Sequence, residues 1–140
     1  MQKLILDTNV LVSALIASSI PAKILYEVVL TRKVETCLSD EVFAEYVEVL
    51  NRDKFATFTN FKIRAEVVLN KLREISTFYQ TDRNVEVLAD TSDNKFLELA
   101  AISSADYLTT GNTLDFTITE FEYTRILTPR EYWDNYAPKQ

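Results

Sequence analysis

Lys3-Leu4-Ile5-Leu6-Asp7-Thr8-Asn9-Val10-Leu11-Val12 is the stretch that decides the fold. Lys3 to Leu6 is a short apolar run with β-branched content. After Asp-Thr-Asn a second apolar run, Val10 to Ala17, follows at helical spacing, so a strand hands over to a helix at Asp7. In open α/β sheets, ligands and reacting groups collect just beyond the carboxyl ends of the strands. A carboxylate at that handover stands where chemistry is expected, and other acids decide whether it stands alone.

Working outward, Ser18-Ser19-Ile20-Pro21 breaks the first helix. Pro21 suits the first position of a second helix, which Ile24, Leu25, Val28 and Val29 carry to the neighbourhood of Arg32. Val34 to Leu38 is the second strand. Ser39 is an N-cap, with Asp40 and Glu41 at the positive end of a helix reaching Arg52 and burying Val42, Phe43, Tyr46, Val47 and Leu50. Asp53 to Thr59 is a connecting turn or short helix. Asn60 then caps a helix to Glu74 with Phe61, Ala65, Val68 and Leu72 inward. Ile75 to Tyr79 is the third strand. An irregular polar stretch interrupted by Val85-Glu86-Val87-Leu88 leads to Thr91 or Ser92, which opens a helix from Asp93 to Ser104 burying Phe96, Leu97, Ala100 and Ala101. Asp106 to Thr109 is the fourth strand, stopped by Thr110-Gly111-Asn112, and Thr124 to Leu127 is the fifth. Thr128-Pro129-Arg130-Glu131 is a capping box that opens a closing helix carrying Tyr132, Trp133 and Tyr136.

Strands alternating with helices predict an α/β fold, a three-layer sandwich around a central, mainly parallel five-stranded sheet. A single domain over residues 1–136 with a loose tail at 137–140 accommodates every element.

The composition narrows the chemistry. Among 140 residues, 47% are apolar and 26% charged, the balance of an ordinary globular chain with a substantial core. No run approaches the roughly 18 to 20 apolar residues of a membrane span, and the N-terminus lacks the pattern of a secretion signal. The expectation is a cytoplasmic protein without membrane association. Cys37, the one cysteine, falls in an apolar run and reads as a buried thiol. The chain has no histidine, which removes Ser-His-Asp and Cys-His catalysis and histidine zinc sites. Its one glycine, Gly111, excludes glycine-rich dinucleotide and phosphate loops. Carboxylates, hydroxyls, amides and basic side chains remain.

A net charge of −6 and a pI near 4.7 argue against a protein that coats nucleic acid through overall positive charge. Locally, however, Arg52, Lys54, Lys62, Arg64, Lys71 and Arg73 outnumber Asp53 and Glu66, with Phe55, Phe58 and Phe61 between them. They form a candidate rim for a phosphate backbone; the plainer alternative is a solvated helix face whose phenylalanines are core.

Four polar positions fall at comparable places: Asp7 after the first strand, Glu45 one turn into the helix after the second, Asp93 before the fourth, and Asn112 or Asp115 after it. If the first and fourth strands are neighbours, as where a doubly wound sheet reverses direction, these positions face one cleft. Each also has a plainer role: a helix cap for Asp7, a solvated edge position for Glu45, a partner of the helix dipole for Asp93, a turn for Asp115. Gathered without basic partners, such carboxylates are costly unless a cation neutralises them.

The same segments resemble the motifs of PIN-domain ribonucleases, a likeness covering nearly the whole chain. Leu6-Asp7-Thr8-Asn9-Val10-Leu11-Val12-Ser13 is similar to the family's opening motif and Val42-Phe43-Ala44-Glu45-Tyr46 to its helix glutamate. Asp90 to Ala100, which contains Asp93, resembles the central aspartate motif, and Ala105 to Asn112 the fourth. The resemblance implies a PIN-like, 5'-nuclease-like fold and a divalent-metal-dependent endoribonuclease acting on single-stranded RNA. Such proteins are very often the toxin half of a bacterial toxin–antitoxin pair, with an antitoxin protein as partner, and commonly homodimers or higher oligomers. It implies Asp7, Glu45 and Asp93 as the catalytic, metal-site acids. In one departure, Asn112 stands where the family often has aspartate. Asparagine can ligate through its amide oxygen or hold a bound water but adds no charge, so Asp115, three residues on, is the candidate shifted metal ligand. An oxygen-only donor set suits Mg²⁺ or Mn²⁺. On this basis Asp7 and Asp93 hold the ion, Glu45 serves a second ion or a water, and Asn9, Thr110 and Asn112 hold surrounding waters or touch the phosphate. Two alternatives stay open: a binding module that keeps the fold with a damaged site, motivated by Asn112, and a receiver-like phosphoacceptor domain. The second needs a lysine at the end of a late strand, where Thr128-Pro129-Arg130 offers arginine.

Overall fold

In β1 (Lys3–Leu6), the successive residues Leu4, Ile5 and Leu6 are all buried. Neighbouring side chains of a strand point to opposite faces, so both faces of the sheet are covered there, as a three-layer α/β architecture requires. β2 (Glu35–Leu38) repeats the pattern with Thr36, Cys37 and Leu38. The computed structural model describes residues 1–82, 93–111 and 117–139. The expected Val85 to Leu88 run, the helix-opening Thr91 and Ser92, and the candidate site residues Asn112 and Asp115 lie outside these residues.

Four further strands complete the sheet among the described residues: β3 (Thr77–Phe78), β4 (Tyr107–Thr109), β5 (Glu120–Phe121) and β6 (Thr124–Leu127). Their order is β3-β2-β1-β4-β6-β5, parallel throughout except that β5 runs antiparallel to β6. β1 and β4 are neighbours, with Leu4 opposite Tyr107 and Leu6 opposite Thr109. The chain thus builds outward from β1 to β3 on one side and from β4 to β5 on the other, which makes the β1/β4 seam the point of reversal.

The sheet has six strands, not the expected five. The additional β5 is two residues long, too short for any alternation to show, and its hairpin turns through Glu122 at φ 53°, a left-handed conformation usually signalled by glycine or asparagine. β3 is likewise shorter than expected, because Ile75 ends the preceding helix.

Among the helices, α1 (Thr8–Ile16) starts directly after Asp7. α2 (Ile20–Lys23) is capped by Ser19, whose Oγ accepts from the Ala22 N–H, so Pro21 takes the second helical position rather than the first. It continues as a π-helical stretch, Ile24–Val29, where the expectation was regular α-helix. The wider winding lets the adjacent pairs Ile24-Leu25 and Val28-Val29 all enter the core. α3 (Asp40–Leu50) has the predicted Ser39 cap, while Val47 is exposed rather than part of the buried stripe.

α4 (Phe61–Ile75) follows a short 3₁₀ turn, Asp53–Phe55; its entry residue Asn60 is left-handed and makes no side-chain cap bond, contrary to expectation. α5 (Asn94–Ser103) buries Leu99 where Ala101 was expected. α6 (Pro129–Asn135) opens with both bonds of the Thr128–Glu131 capping box and packs on β4 and β6. Among the described residues no single helix is long and apolar enough to cross a membrane. α1 and the α2 segment pass such a test only together, bent by 98°, and most of their apolar residues lie in or against the core.

Candidate active site

Asp7 follows the last residue of β1, and its backbone N–H extends the ladder to the Thr109 carbonyl. Its own carbonyl accepts from Val10 N–H, which starts α1. The side chain makes no cap bond to the helix. Instead Oδ2 accepts from Thr110 Oγ1 at 2.7 Å, just past the end of β4, and the whole residue is only 3% exposed. Asp7 thus occupies the N-cap position of α1 while its carboxylate faces Thr110 rather than the helix N–H groups. A carboxylate at the positive end of α1, held across the β1/β4 seam by a hydroxyl, is placed by the topology itself.

Glu45 reaches the same region from α3. Its Oε2 accepts from Thr8 Oγ1, on the residue after Asp7, and its Oε1 accepts from Lys95 Nζ of α5 at 2.9 Å. With its side chain 16% exposed, Glu45 is an integral part of a network rather than a solvated edge residue. Tyr46 fixes the approach of α3: its buried hydroxyl donates to the Leu6 carbonyl at 2.5 Å, one residue before Asp7. Burial, then the carboxylates of Asp7 and Glu45, push the Tyr46 phenol well above its ordinary pKa, which keeps it a neutral donor. Asp93 lies immediately before α5, half-buried, without a side-chain cap bond to that helix. Two helical positions on, Lys95 bonds to Glu45.

Three contributors were absent from the candidate set. Thr8 and Tyr46 flank predicted acids in sequence, and a buried hydroxyl beside an acid was the signal available. Lys95 had none, because its place depends on how α5 packs on α3. Asn9 is exposed and lines, with Ser13, Gly111 and Pro129, an open groove of about 370 Å³ beside the strand ends.

A family model for the PIN domain matches residues 3–114. The chain belongs to the PIN-domain family. It is also 28% identical over 142 aligned positions to an uncharacterized protein of Methanocaldococcus jannaschii, the alignment covering 96% of this chain and 91% of that one. PIN domains are in general metal-dependent nucleases using Mg²⁺ or Mn²⁺.

The donor chemistry of this PIN domain fits such an ion in part. Asp7, Glu45 and the Thr8 and Thr110 hydroxyls are hard oxygen donors at one end of the sheet, and the only cysteine, Cys37, is fully buried in β2. Among the described residues no three acidic or cysteine side chains form a group that could hold a metal ion. Mg²⁺ is compatible with that: it is commonly held by one or two carboxylates plus waters and substrate phosphates rather than by an all-protein cage.

The basic rim is mixed. Arg52 is bound through two nitrogens to Glu48, at 2.9 and 2.7 Å, and Lys62 lies 3.8 Å from Asp53. Lys54 lies over Phe55, and Arg73 over Phe43. Arg64 is exposed and Lys71 half-buried. Phe55 and Phe61 stack in the core with ring centres 5.0 Å apart, as the plainer alternative has it, while Phe58 stays at the surface, 38% exposed. Exposed ion pairs of this kind are weak and leave the charge available to a phosphate.

Proposed function

We propose that this PIN domain is a divalent-metal-dependent endoribonuclease that cuts single-stranded RNA. The observation that carries this is Asp7: a nearly buried carboxylate, not spent on capping α1, fixed by Thr110 where the sheet reverses. Asp7 and Asp93 are the proposed ion ligands, with Asp115 as a further candidate. A bound Mg²⁺ or Mn²⁺ would supply a more acidic attacking water and offset charge on the scissile phosphate. Thr110 holds the Asp7 carboxylate in one orientation. Thr8 and Tyr46 fix Glu45 relative to β1, and Glu45 orients a water. Asn9 and Asn112 are suited to contact phosphate at the groove beside the strand ends, and the Arg52 to Arg73 rim supplies long-range attraction that the chain as a whole lacks.

A toxin role with an antitoxin partner and a homodimeric or larger assembly belong to this proposal and rest on family likeness alone; a cytoplasmic setting belongs to it too and rests on the apolar patterning of the sequence. Co-purification with the product of an adjacent gene and the mass of the assembly by light scattering would test them. A second reading, a nucleic-acid or protein binding module with a weakened site, is motivated by Asn112 standing where the family often has aspartate. Titration with Mn²⁺ separates the two: the nuclease binds the ion at millimolar concentration and cuts RNA only in its presence, and failure to bind favours the module.

A further inference from the structure

Lys95 is held where a second cation would otherwise be required. Glu45 has both carboxylate oxygens engaged, Oε2 by the Thr8 hydroxyl and Oε1 by the Lys95 ammonium at 2.9 Å. The two side chains are 16% and 26% exposed, so the pair is largely withdrawn from water and its charges are weakly screened. The ammonium at Oε1 already supplies, at contact distance, the positive charge that a second ion would bring to this carboxylate. The lysine head is a compact point charge with three donors, one of which Glu45 takes, and it reaches from α5 to α3.

From this we infer that Lys95 replaces a second metal ion at Glu45. The site then works with a single divalent ion bound at the Asp7 end, and Lys95 contributes the fixed positive charge on the Glu45 side, its remaining N–H donors being free to bind an oxygen of the RNA phosphate. Glu45 is thereby a positioning residue for Lys95 rather than an ion ligand. This rests on the nuclease reading above and specifies the number of ions and the group that substitutes for the missing one.

The test is the number of Mn²⁺ ions bound per chain, by calorimetry and by electron paramagnetic resonance. Wild type binds one. Glu45→Gln still binds one, because Glu45 does not hold the ion, whereas Asp7→Asn binds none. Lys95→Met, which keeps the stem and removes the charge, exposes Glu45 to a second ion and binds two; Lys95→Arg restores one. Two ions on wild type, loss of the ion in Glu45→Gln, or one ion on Lys95→Met would each overturn the inference while leaving metal-dependent cleavage standing. No ion on wild type would instead contradict the nuclease reading itself. Should Lys95→Met fail to fold, the comparison of Glu45→Gln with Asp7→Asn decides.

Discussion

Tyr46 ties the helix that carries Glu45 to the strand that presents Asp7, through one buried hydrogen bond to the Leu6 carbonyl. Tyr46→Phe removes the donor and leaves that bond unmade, at an expected cost of about 1–3 kcal/mol in chemical denaturation. Thr110→Val keeps the volume and removes the hydroxyl that orients Asp7. It should weaken Mn²⁺ binding about 10- to 100-fold, read by calorimetry, and, since it leaves a buried carboxylate oxygen short of a donor, lower stability by about 1–3 kcal/mol. Cys37 gives a pH prediction. Burial, reinforced by the negative charge of Glu35, raises its thiol from 9.0 to about 11, so the folded state holds a proton that the unfolded state gives up first. Stability from this group is complete below pH 9 and is lost as pH rises toward 11. The melting temperature should therefore fall across that window, and less steeply in Cys37→Ala. At this scale Asp7 was legible because a strand-to-helix handover is a local pattern. Lys95 was not, since nothing in Asp93-Asn94-Lys95 reveals that the lysine meets a glutamate fifty positions earlier.

Elements whose ends are set by local chemistry were readable, and those set by packing were not. Ser39 and Thr128 cap their helices through side-chain oxygens, as their positions before Asp40-Glu41 and Pro129 indicate. Thr128→Ala breaks one half of the capping box and should cost about 1 kcal/mol, measured by urea unfolding. Asn60 carries the same signal yet enters α4 in a left-handed conformation with no cap bond, one of the backbone states asparagine tolerates. The π-helical turn at Ile24–Val29 is a response to two adjacent apolar pairs seeking one core, and in sequence it looks like ordinary helical spacing. β5 exists only by pairing with β6 and has no periodicity of its own.

For the whole molecule, the neighbouring β1 and β4 strands follow from the doubly wound pattern, and that adjacency is what brings Thr110 to Asp7. An excess of six negative charges repels RNA at long range, so attraction must be local. RNA affinity should drop with added salt with a shallow slope set by few phosphate contacts, and charge-neutralising substitutions at Arg52, Lys54, Lys62, Arg64, Lys71 and Arg73 together should flatten it. Unchanged affinity in that variant would place the contact surface elsewhere. The central claim is that Asp7 is the anchor of a metal-dependent cut. Its most direct test is cleavage of a fluorescent single-stranded RNA by wild type and by Asp7→Asn, each with Mn²⁺ and with EDTA, alongside circular dichroism of both. The expected result is cleavage only by wild type with Mn²⁺, with matching spectra. Cleavage by wild type in EDTA, or by Asp7→Asn at the wild-type rate, would contradict it.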